Sequence, residues 1–379
     1  MEDVRFYDFE GTLKHIEHDI VSANWTLEYR GYGTFELHFP LSSGLVQVLL
    51  DNKYLVAVQG EKQAIVTGKQ VTTEGVVYGR TPEWILTRFV VTEEFDTDTL
   101  YTDGTITAKD AGTVAAYMMG LAFARVDNMT VDVSGEYGEA YVENKAVTAA
   151  YDLICDCMEK DGAGFRVEFA PEDASWLFTA YKGRTLDLIV SEGNRNAYET
   201  EYTEELQDYF GGGWYEQEIT DMGDWDASKN VPALTNNAPE NYAKAYRVSV
   251  AGTRFNITWA EGDYIVCRDK SGAWAQSDNT DSFLVHIAPL ETGIYAWETP
   301  LSGTTEDAAA KELGEHKTSK RVKAKTRNIS YGVDYGLGDM VLVQLEKEGV
   351  RLTDERRITG VNIWCENNDI GEQPIFEED

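Results

Sequence analysis

Basic residues are scarce in this chain. Its 379 residues include 33 Lys and Arg against 66 Asp and Glu, which gives a formal net charge of −33. This balance disfavours specific nucleic-acid binding, because Lys and Arg would have to replace the counterions of the phosphates. The acidity indicates either a soluble surface and nothing more, or a surface that repels DNA, such as a conduit through which DNA slides without adhering.

Cysteine and long apolar runs are also scarce. The four cysteines, at positions 155, 157, 267 and 365, have no spacing typical of a disulfide framework. Scattered thiols of this kind are typical of a protein made in a reducing cytosol. No basic segment followed by an apolar run opens the sequence, so we expect no signal peptide. No stretch approaches ~18–20 apolar residues, so we expect no membrane span.

The short motifs that mark common active sites are missing. The sequence has no G-x-S-x-G, no H-E-x-x-H, no Walker lysine loop and no Rossmann glycine fingerprint after a strand. His15 and His18 lie near Glu10, Glu17 and Asp19 and could ligate a metal, but solvated histidines also explain this pattern. We therefore predict no catalytic, cofactor-binding or metal-binding residue.

Carboxylate pairs and three loop-like segments are further candidate sites. A glycosidase needs two carboxylates ~5–9.5 Å apart across a cleft, which so acidic a sequence cannot single out. Residues 96–98 and 367–369 lack the twelve-residue calcium-loop pattern with its closing Glu, so we interpret them as solvated acidic loops. Residues 211–214 (GGGW) could cradle a phosphate, but no lysine or helix start follows, which favours a flexible loop.

Aromatic residues, by contrast, are abundant. They make up 12% of the chain, with 21 Tyr and 9 Trp, a composition that suits strands and interfaces. We expect most of them in cores or interfaces, with a sugar-binding groove as the alternative. Hydrophobic residues at 42% are sufficient for real cores, and the length predicts about two to four domains.

Residues 24–40 (NWTLEYRGYGTFELHFP) show the clearest local pattern. Apolar and polar residues alternate on both sides of a glycine turn, which predicts a β-hairpin with one apolar face. We expect Phe35, Leu37 and Phe39 to face the interior of a barrel, and Glu36 and His38 to face outward.

The whole chain is predicted to be mainly β with an α+β insert. We predict a first β-barrel domain at 1–100, an α+β insert domain at 101–183, and a second β-barrel domain at 184–252 and 321–379. An inserted β-rich segment with one helix occupies 253–320. Apolar spacing predicts helices at 108–126, 144–160 and 304–317, the last with Thr304 or Thr305 as its N-cap.

Four segments resemble a known family, the tail proteins of long-tailed phages that act as baseplate or tail-tip hubs. The segments are residues 33–40 (GTFELHFP), residues 76–88 with the alanine-rich stretch beyond them, residues 335–361 with their YGLGD element, and residues 241–243 (NYA) before a strand. The resemblance spans most of the chain and leaves residues 253–320 unexplained.

The resemblance implies two related β-barrels per chain and a homotrimer whose six barrels form a ring. Such a ring joins a sixfold tail tube to a threefold tip. It implies partners among the distal tail or tube proteins and a tail fibre, spike or receptor-binding protein, and a channel through which DNA passes. It also implies synthesis in the bacterial host cytoplasm and a final place in the virion tail. No catalytic residue and no cofactor follow from it.

Two other function classes stay open. The chain could be a tail-associated cell-wall hydrolase or glycosidase, against which the missing hydrolase motifs argue. It could also be a carbohydrate-binding module that uses exposed Trp or Tyr side chains.

Overall fold

The structure is a computed structural model, and it describes residues 2–123, 129–133, 138, 140–205, 210–287, 297–316, 319–366 and 369–378. The chain divides into two compact units. Unit 1 comprises Met1–Tyr202 and Arg321–Glu378, and unit 2 comprises Thr203–Lys320. The division into four domains stays a prediction. Among the described residues, every helix falls short of the length and apolarity that crossing a membrane requires.

The helices and strands are numbered in chain order. Up to residue 161 they are β1 (Val4–Tyr7), β2 (Leu13–Glu17), β3 (Ser22–Glu28), β4 (Thr34–Phe39), α1 (Leu45–Asp51), β5 (Val56–Gln59), β6 (Lys62–Val71), β7 (Gly75–Arg80), a 3-10 helix (Pro82–Arg88), β8 (Val90–Val91), β9 (Phe95–Asp96), α2 (Thr97–Thr102), α3 (Ala111–Ala122), β10 (Met129–Val133), β11 (Glu143–Asn144), β12 (Thr148–Ala149) and α4 (Ala150–Asp161). From residue 164 they are β13 (Gly164–Ala170), β14 (Ser175–Tyr181), β15 (Thr185–Ser191), β16 (Ala197–Glu205), β17 (Gly212–Glu218), β18 (Thr220–Asp226), a second 3-10 helix (Pro239–Asn241), β19 (Lys244–Val250), β20 (Gly252–Arg254), β21 (Ile257–Trp259), β22 (Tyr264–Cys267), β23 (Ala275–Gln276), β24 (Ser282–Ile287), β25 (Glu298–Pro300), α5 (Glu306–Glu315), β26 (Ser319–Thr326), β27 (Met340–Lys347), β28 (Val350–Glu366) and β29 (Asp369–Phe376).

One large sheet organises unit 1. Its strand order is β15-β27-β28-β3-β4-β7-β6-β5-β1-β2, with β29 paired to β28 outside this path. Strand β28 is 17 residues long and has two sets of neighbours. Its first half pairs with β27, and its second half pairs with β3 on one side and β29 on the other. The first and last parts of the chain are therefore joined through one long strand.

This sheet carries two separate hydrophobic cores. The first lies on strands near the N-terminus and contains Phe6, Trp25, Phe35, Leu37 and Phe39 with helix α1. The second lies on strands from the C-terminal part of the chain, and its buried members are Val190, Ala197, Val322, Ala324, Ile329, Tyr335, Val341, Val343, Ile358, Val361 and Phe376. Separate cores form because the apolar faces of the two halves of the sheet pack among their own strands. The predicted mainly-β class with an α+β insert is confirmed.

The predicted hairpin is strands β3 and β4. They pair antiparallel with Trp25 opposite Phe35. Phe35, Leu37 and Phe39 are buried, whereas Glu36 is exposed and His38 is partly exposed. The alternation of the sequence therefore gave both the pairing and the buried face correctly.

The insert packs helices α3 and α4 around a small sheet of order β10-β14-β13. Helix α3 is capped by Asp110, whose side chain accepts from the Thr113 N–H, and residues 124–126 of the predicted helix lie outside the described residues. Helix α4 begins at Ala150 and ends at Asp161, and Gly162 follows as its C-terminal cap with a φ of +67°. The predicted start at residue 144 was wrong: residues 143–144 and 148–149 form short strands β11 and β12 that pair with β9 and β8, and Val147 is exposed.

Unit 2 contains several small sheets. Strands β24, β17 and β25 form one, and β18, β19, β22 and β23 form another around Trp225, Trp259 and Trp274. Helix α5 begins after Thr305, whose side chain accepts from the Ala308 N–H, so the predicted N-cap is confirmed, while Lys317 lies outside the described residues.

The predicted flexible loop at 211–214 was wrong, because strand β17 occupies residues 212–214. Gly212 and Gly213 belong to β17, and neighbouring side chains pack closely against both. A Cβ atom at Gly212 would lie 2.7 Å from His286 Nε2, and one at Gly213 would lie 2.5 Å from Leu301 Cδ1. A glycine run therefore marks close packing of strands here and not a flexible loop.

Candidate functional site

The histidines that the sequence offered as metal ligands do not converge. His15 Nε2 lies 3.4 Å from Glu17 Oε2, and His18 Nδ1 lies 2.9 Å from Asp3 Oδ2, so each ring has its own carboxylate partner. Within the described parts of the chain, no group of three or more His, Cys, Asp or Glu side chains is arranged to hold a metal ion.

The acidic segment at 96–98 has a structural role. Asp96 is the N-cap of α2, and its Oδ1 atom accepts a hydrogen bond from the Thr99 N–H at 2.7 Å. A carboxylate at this position satisfies one of the unpaired amides of the first helical turn. Of the other segment, Asp369 begins β29, and residues 367 and 368 lie outside the described residues.

A cleft of unit 1 lies where the insert meets the large sheet. It has a volume of about 70 Å³ and is lined by residues of β3, β6, the first 3-10 helix, β13 and β14, with Tyr331 and Leu337. Glu83 from the 3-10 helix is buried in its wall, with 7% of its surface exposed. A buried carboxylate needs partners, because burial without hydrogen bonds is costly.

Glu83 has those partners on both sides of the cleft. Its Oε1 atom accepts a hydrogen bond from the Val167 N–H at 2.9 Å, and the Thr81 hydroxyl also bonds to it. The same hydroxyl accepts from the Gly33 N–H at 2.8 Å. Burial raises the pKa of the Glu83 carboxyl, and these hydrogen bonds oppose the shift without cancelling it.

The whole outer edge of β13 is satisfied in this way. Its amides at alternate positions bond to groups outside its own sheet: Phe165 N–H to the Tyr29 carbonyl at 3.1 Å, Val167 N–H to Glu83, and Phe169 N–H to Gln63 Oε1 at 2.7 Å. The Gln63 side-chain amide donates in return to the Phe169 carbonyl at 2.9 Å. An edge strand usually exposes such groups to other chains, so these bonds both close the edge and fix the insert.

Tyr29 also connects the insert to the large sheet. Its hydroxyl donates to the carbonyl of Gly162, the C-terminal cap of α4, at 3.0 Å. Its ring lies edge-on to the ring of Tyr181. A Cβ atom at Gly164 would lie 2.3 Å from the ring, and one at Gly338 would lie 2.2 Å from it. We call Tyr29, Gln63, Glu83, Gly164 and Gly338 the insert joint.

The insert joint is suited to hold the insert in one fixed orientation on the large sheet of unit 1. Its polar groups are engaged in hydrogen bonds between elements, and Tyr29 is almost completely buried. Sequence reasoning missed these residues, because it searched for catalytic motifs. A usable signal was Glu83 itself, a carboxylate between Pro82 and Trp84 in the otherwise apolar segment 82–86 (PEWIL).

His38 lies on the outer face of the hairpin between two carboxylates. Its Nδ1 atom is 2.8 Å from Glu74 Oε1, and its Nε2 atom is 3.0 Å from Glu36 Oε1. Partial burial by itself would lower the pKa of His38, but the two carboxylates outweigh it and the net pKa is raised.

We expect this ion cluster to add stability below the ordinary His pKa of 6.5. That contribution is lost as the pH rises through the raised pKa of the folded state. An NMR titration of the His38 ring should give a pKa above 6.5, and Glu74→Gln should lower it. Glu61→Gln, on an exposed residue elsewhere, is the charge-matched control. An unchanged His38 pKa in Glu74→Gln would contradict the assignment.

The fold and the insert joint define a mainly-β protein whose α+β insert is fixed to the large sheet by hydrogen bonds. No family model matches the sequence, and no curated protein matches it. Solved structures do match. The tail protein from Neisseria meningitidis MC58 has a TM-score of 0.52 at 8% identity, with 100% of this chain and 96% of that chain covered. The 43 kDa tail protein of prophage MuSo2 from Shewanella oneidensis has a TM-score of 0.50 at 11% identity, with 100% and 98% covered.

A third similar structure is the prophage tail protein gp18 from Listeria monocytogenes EGD-e, with a TM-score of 0.47 at 11% identity and 99% and 93% coverage. At such low identity the first two matches show the fold. The chain has the fold of these tail proteins, the matches cover its full length, and the resemblance noted in the sequence is confirmed at that level.

Proposed function

We propose that this chain is a structural protein of a phage or prophage tail, and that it forms the baseplate or tail-tip hub. In this role it joins the tail tube to the host-facing tip and forms part of the DNA conduit. The observation that carries the proposal is the large sheet of unit 1, in which one long strand, β28, joins two strand groups with separate cores. The similarity in fold to tail proteins supports it.

The proposed assembly is a homotrimer. The two cores of each chain correspond to two barrel-like halves, and three chains then contribute six halves to a ring. A closed ring of this kind has threefold symmetry with a quasi-sixfold face, so it fits a sixfold tube above and a threefold tip below. Its partners are distal tail or tube proteins on one side and a fibre, spike or receptor-binding protein on the other.

The charge of the chain supports the conduit. A net charge of −33 per chain, multiplied over three copies, gives a strongly negative particle. DNA in a channel with negative walls is repelled from them and slides without forming lasting contacts. The protein is made in the host cytoplasm and ends in the virion tail.

A structural role without catalysis is part of the proposal. The cleft between the insert and the large sheet contains Glu83, but this carboxylate accepts hydrogen bonds from the Val167 amide and the Thr81 hydroxyl. A general acid or nucleophile of a glycosidase must instead face the substrate. The insert joint therefore supports assembly over the alternative of a tail-associated hydrolase.

The decisive experiment combines mass and location. Mass photometry of the purified chain, alone and with the adjacent tail proteins, should show a species of three times the 42.5 kDa of the monomer. A reconstruction of tail particles should place two halves of each chain in a ring around the axis, at the tip. Particles that lack the protein, together with a monomer under every condition, would refute the hub. Turnover of cell-wall substrate that is lost in Glu83→Gln would favour the hydrolase.

A further inference from the structure

The three-stranded sheet β24-β17-β25 of unit 2 has two different faces. One face packs on α5: Tyr215 and Leu301 form a core there with Ala309 and Leu313 of the helix. The opposite face is exposed in the part of the chain that the structure describes. Its side chains include Trp214, with 42% of its surface exposed, and Leu284, with 70% exposed. Trp214 is opposite His286 on β24, and Leu284 lies two residues from His286 on the same strand. Both large apolar side chains are therefore on one exposed face, which indicates a contact surface.

Trp214 is held in place on this face by a carboxylate. Its indole N–H donates to Glu298 Oε2 at 2.8 Å, and His286 Nε2 lies 3.2 Å from the other oxygen of the same carboxylate. The rings of Trp214 and His286 are 5.0 Å apart. One carboxylate therefore orients both rings, so the indole is exposed but fixed, and little side-chain entropy is lost when a ligand binds to it.

Gly212 makes this arrangement possible. It is opposite Glu298 on β25, and a Cβ atom at Gly212 would lie 2.7 Å from His286 Nε2. Only a residue without a side chain leaves room for the imidazole beside Trp214. The glycine run that the sequence suggested as a phosphate cradle thus makes space for an aromatic cluster.

The charge of the face determines which ligand it fits. The three strands, GGWYEQE, SFLVHI and ETP, contain no Lys or Arg, and Glu216, Glu218 and Glu298 are exposed. Anions are therefore repelled. A cation above an exposed indole is attracted by its π-system, and neighbouring carboxylates add to that attraction. The apolar neighbour, Leu284, can contact the aliphatic stem of a Lys or Arg side chain.

We propose that this surface, composed of Trp214, Glu216, Leu284, His286 and Glu298, binds a partner protein through a basic segment. An arginine or lysine of that segment lies on the indole of Trp214 and pairs with Glu216 or Glu298. A central Trp with a charged rim is the usual composition of an energetic centre in a protein interface. The proposed binding surface is independent of the proposed tail role.

The test uses the full chain labelled with 5-fluorotryptophan, and ¹⁹F NMR to follow the Trp214 signal, which is assigned from its absence in Trp214→Phe. The probes are acetyl-Arg-Leu-Arg-Leu-amide, the same peptide with Glu for Arg, and the sugar chitotriose. We expect the basic peptide alone to shift the Trp214 signal, and the shift to diminish at high salt. Trp214→Ala should weaken peptide binding, measured by calorimetry, about fivefold or more, and Glu298→Gln should weaken it as well.

The control variant is Trp364→Ala, which removes a tryptophan of similar exposure, 38%, from unit 1. Its peptide affinity should equal that of the unaltered chain. Equal binding of the acidic peptide, or full affinity in Trp214→Ala, overturns the proposal. A larger response of Trp214 to chitotriose than to the basic peptide also overturns it and assigns the face to a glycan.

Discussion

Gly338→Ala should lower the free energy of unfolding of unit 1 by about 3 kcal/mol, whereas Gly349→Ala should cost only about 1 kcal/mol. Both glycines have a left-handed backbone, with φ of +85° and +88°, so both substitutions introduce the same local strain. They differ in their surroundings. A Cβ atom at Gly338 would lie 2.2 Å from Cε2 of Tyr29, and one at Gly349 would have no heavy atom within 4 Å.

Tyr29 cannot easily move aside, because its hydroxyl is bonded to the Gly162 carbonyl and its backbone carbonyl to the Phe165 N–H. Hydrogen exchange of the Phe165 amide under mild denaturant reports the joint directly and avoids assuming that the two units unfold together. In a double-mutant cycle, Tyr29→Leu should recover part of the loss in Gly338→Ala. Strictly additive effects, or equal losses for the two glycine variants, would show that the ring does not restrain this position.

Glu83→Ala should destabilise unit 1 by about 2–3 kcal/mol at acidic pH, where the carboxyl of the unaltered chain is neutral, because the buried Val167 N–H and Thr81 hydroxyl lose their acceptor. Glu83→Gln keeps an acceptor oxygen and the side-chain volume while it removes the charge. It should therefore match or exceed the stability of the unaltered chain at neutral pH. The measurement is the denaturant midpoint of each variant across the pH range.

The pH profile gives the sharper result. Burial raises the pKa of Glu83 above its ordinary value of 4.5, so the folded state keeps its proton after the unfolded state has lost it. The contribution of Glu83 to the free energy of unfolding therefore falls as the pH rises from 4.5 through the raised pKa, and it does not change further above that pKa. Glu83→Gln should remove this fall, whereas Glu61→Gln, at the exposed rim of the same cleft, should retain it. A profile that is the same in Glu83→Gln and the unaltered chain would rule out a buried carboxyl with a raised pKa.

Local patterns in the sequence predicted the elements whose structure depends on near neighbours. The alternation in residues 24–40 gave hairpin β3–β4 and its buried face, and Thr305 was recognised as the cap of α5. Errors occurred where partners distant in sequence decided the conformation. Val147 extends the apolar spacing of α4, but residues 148–149 pair with β8. Gly212 and Gly213 look like a loop but lie in a strand between β24 and β25.

The sequence by itself determined the mainly-β class, the α+β insert and the acidic charge, because these depend on composition and on periodicity over a few residues. The likeness to phage tail proteins came from the resemblance of particular segments, among them residues 33–40 and 335–361. Only the tertiary structure revealed the insert joint, since Glu83 meets the Val167 amide across 84 residues. It also brought Trp214 next to Glu298, which likewise lies 84 residues away. Contacts over such distances depend on the register of entire strands, which no local pattern encodes. The two cores joined by β28 likewise depend on the tertiary structure, because the first and last strands meet only in the folded sheet.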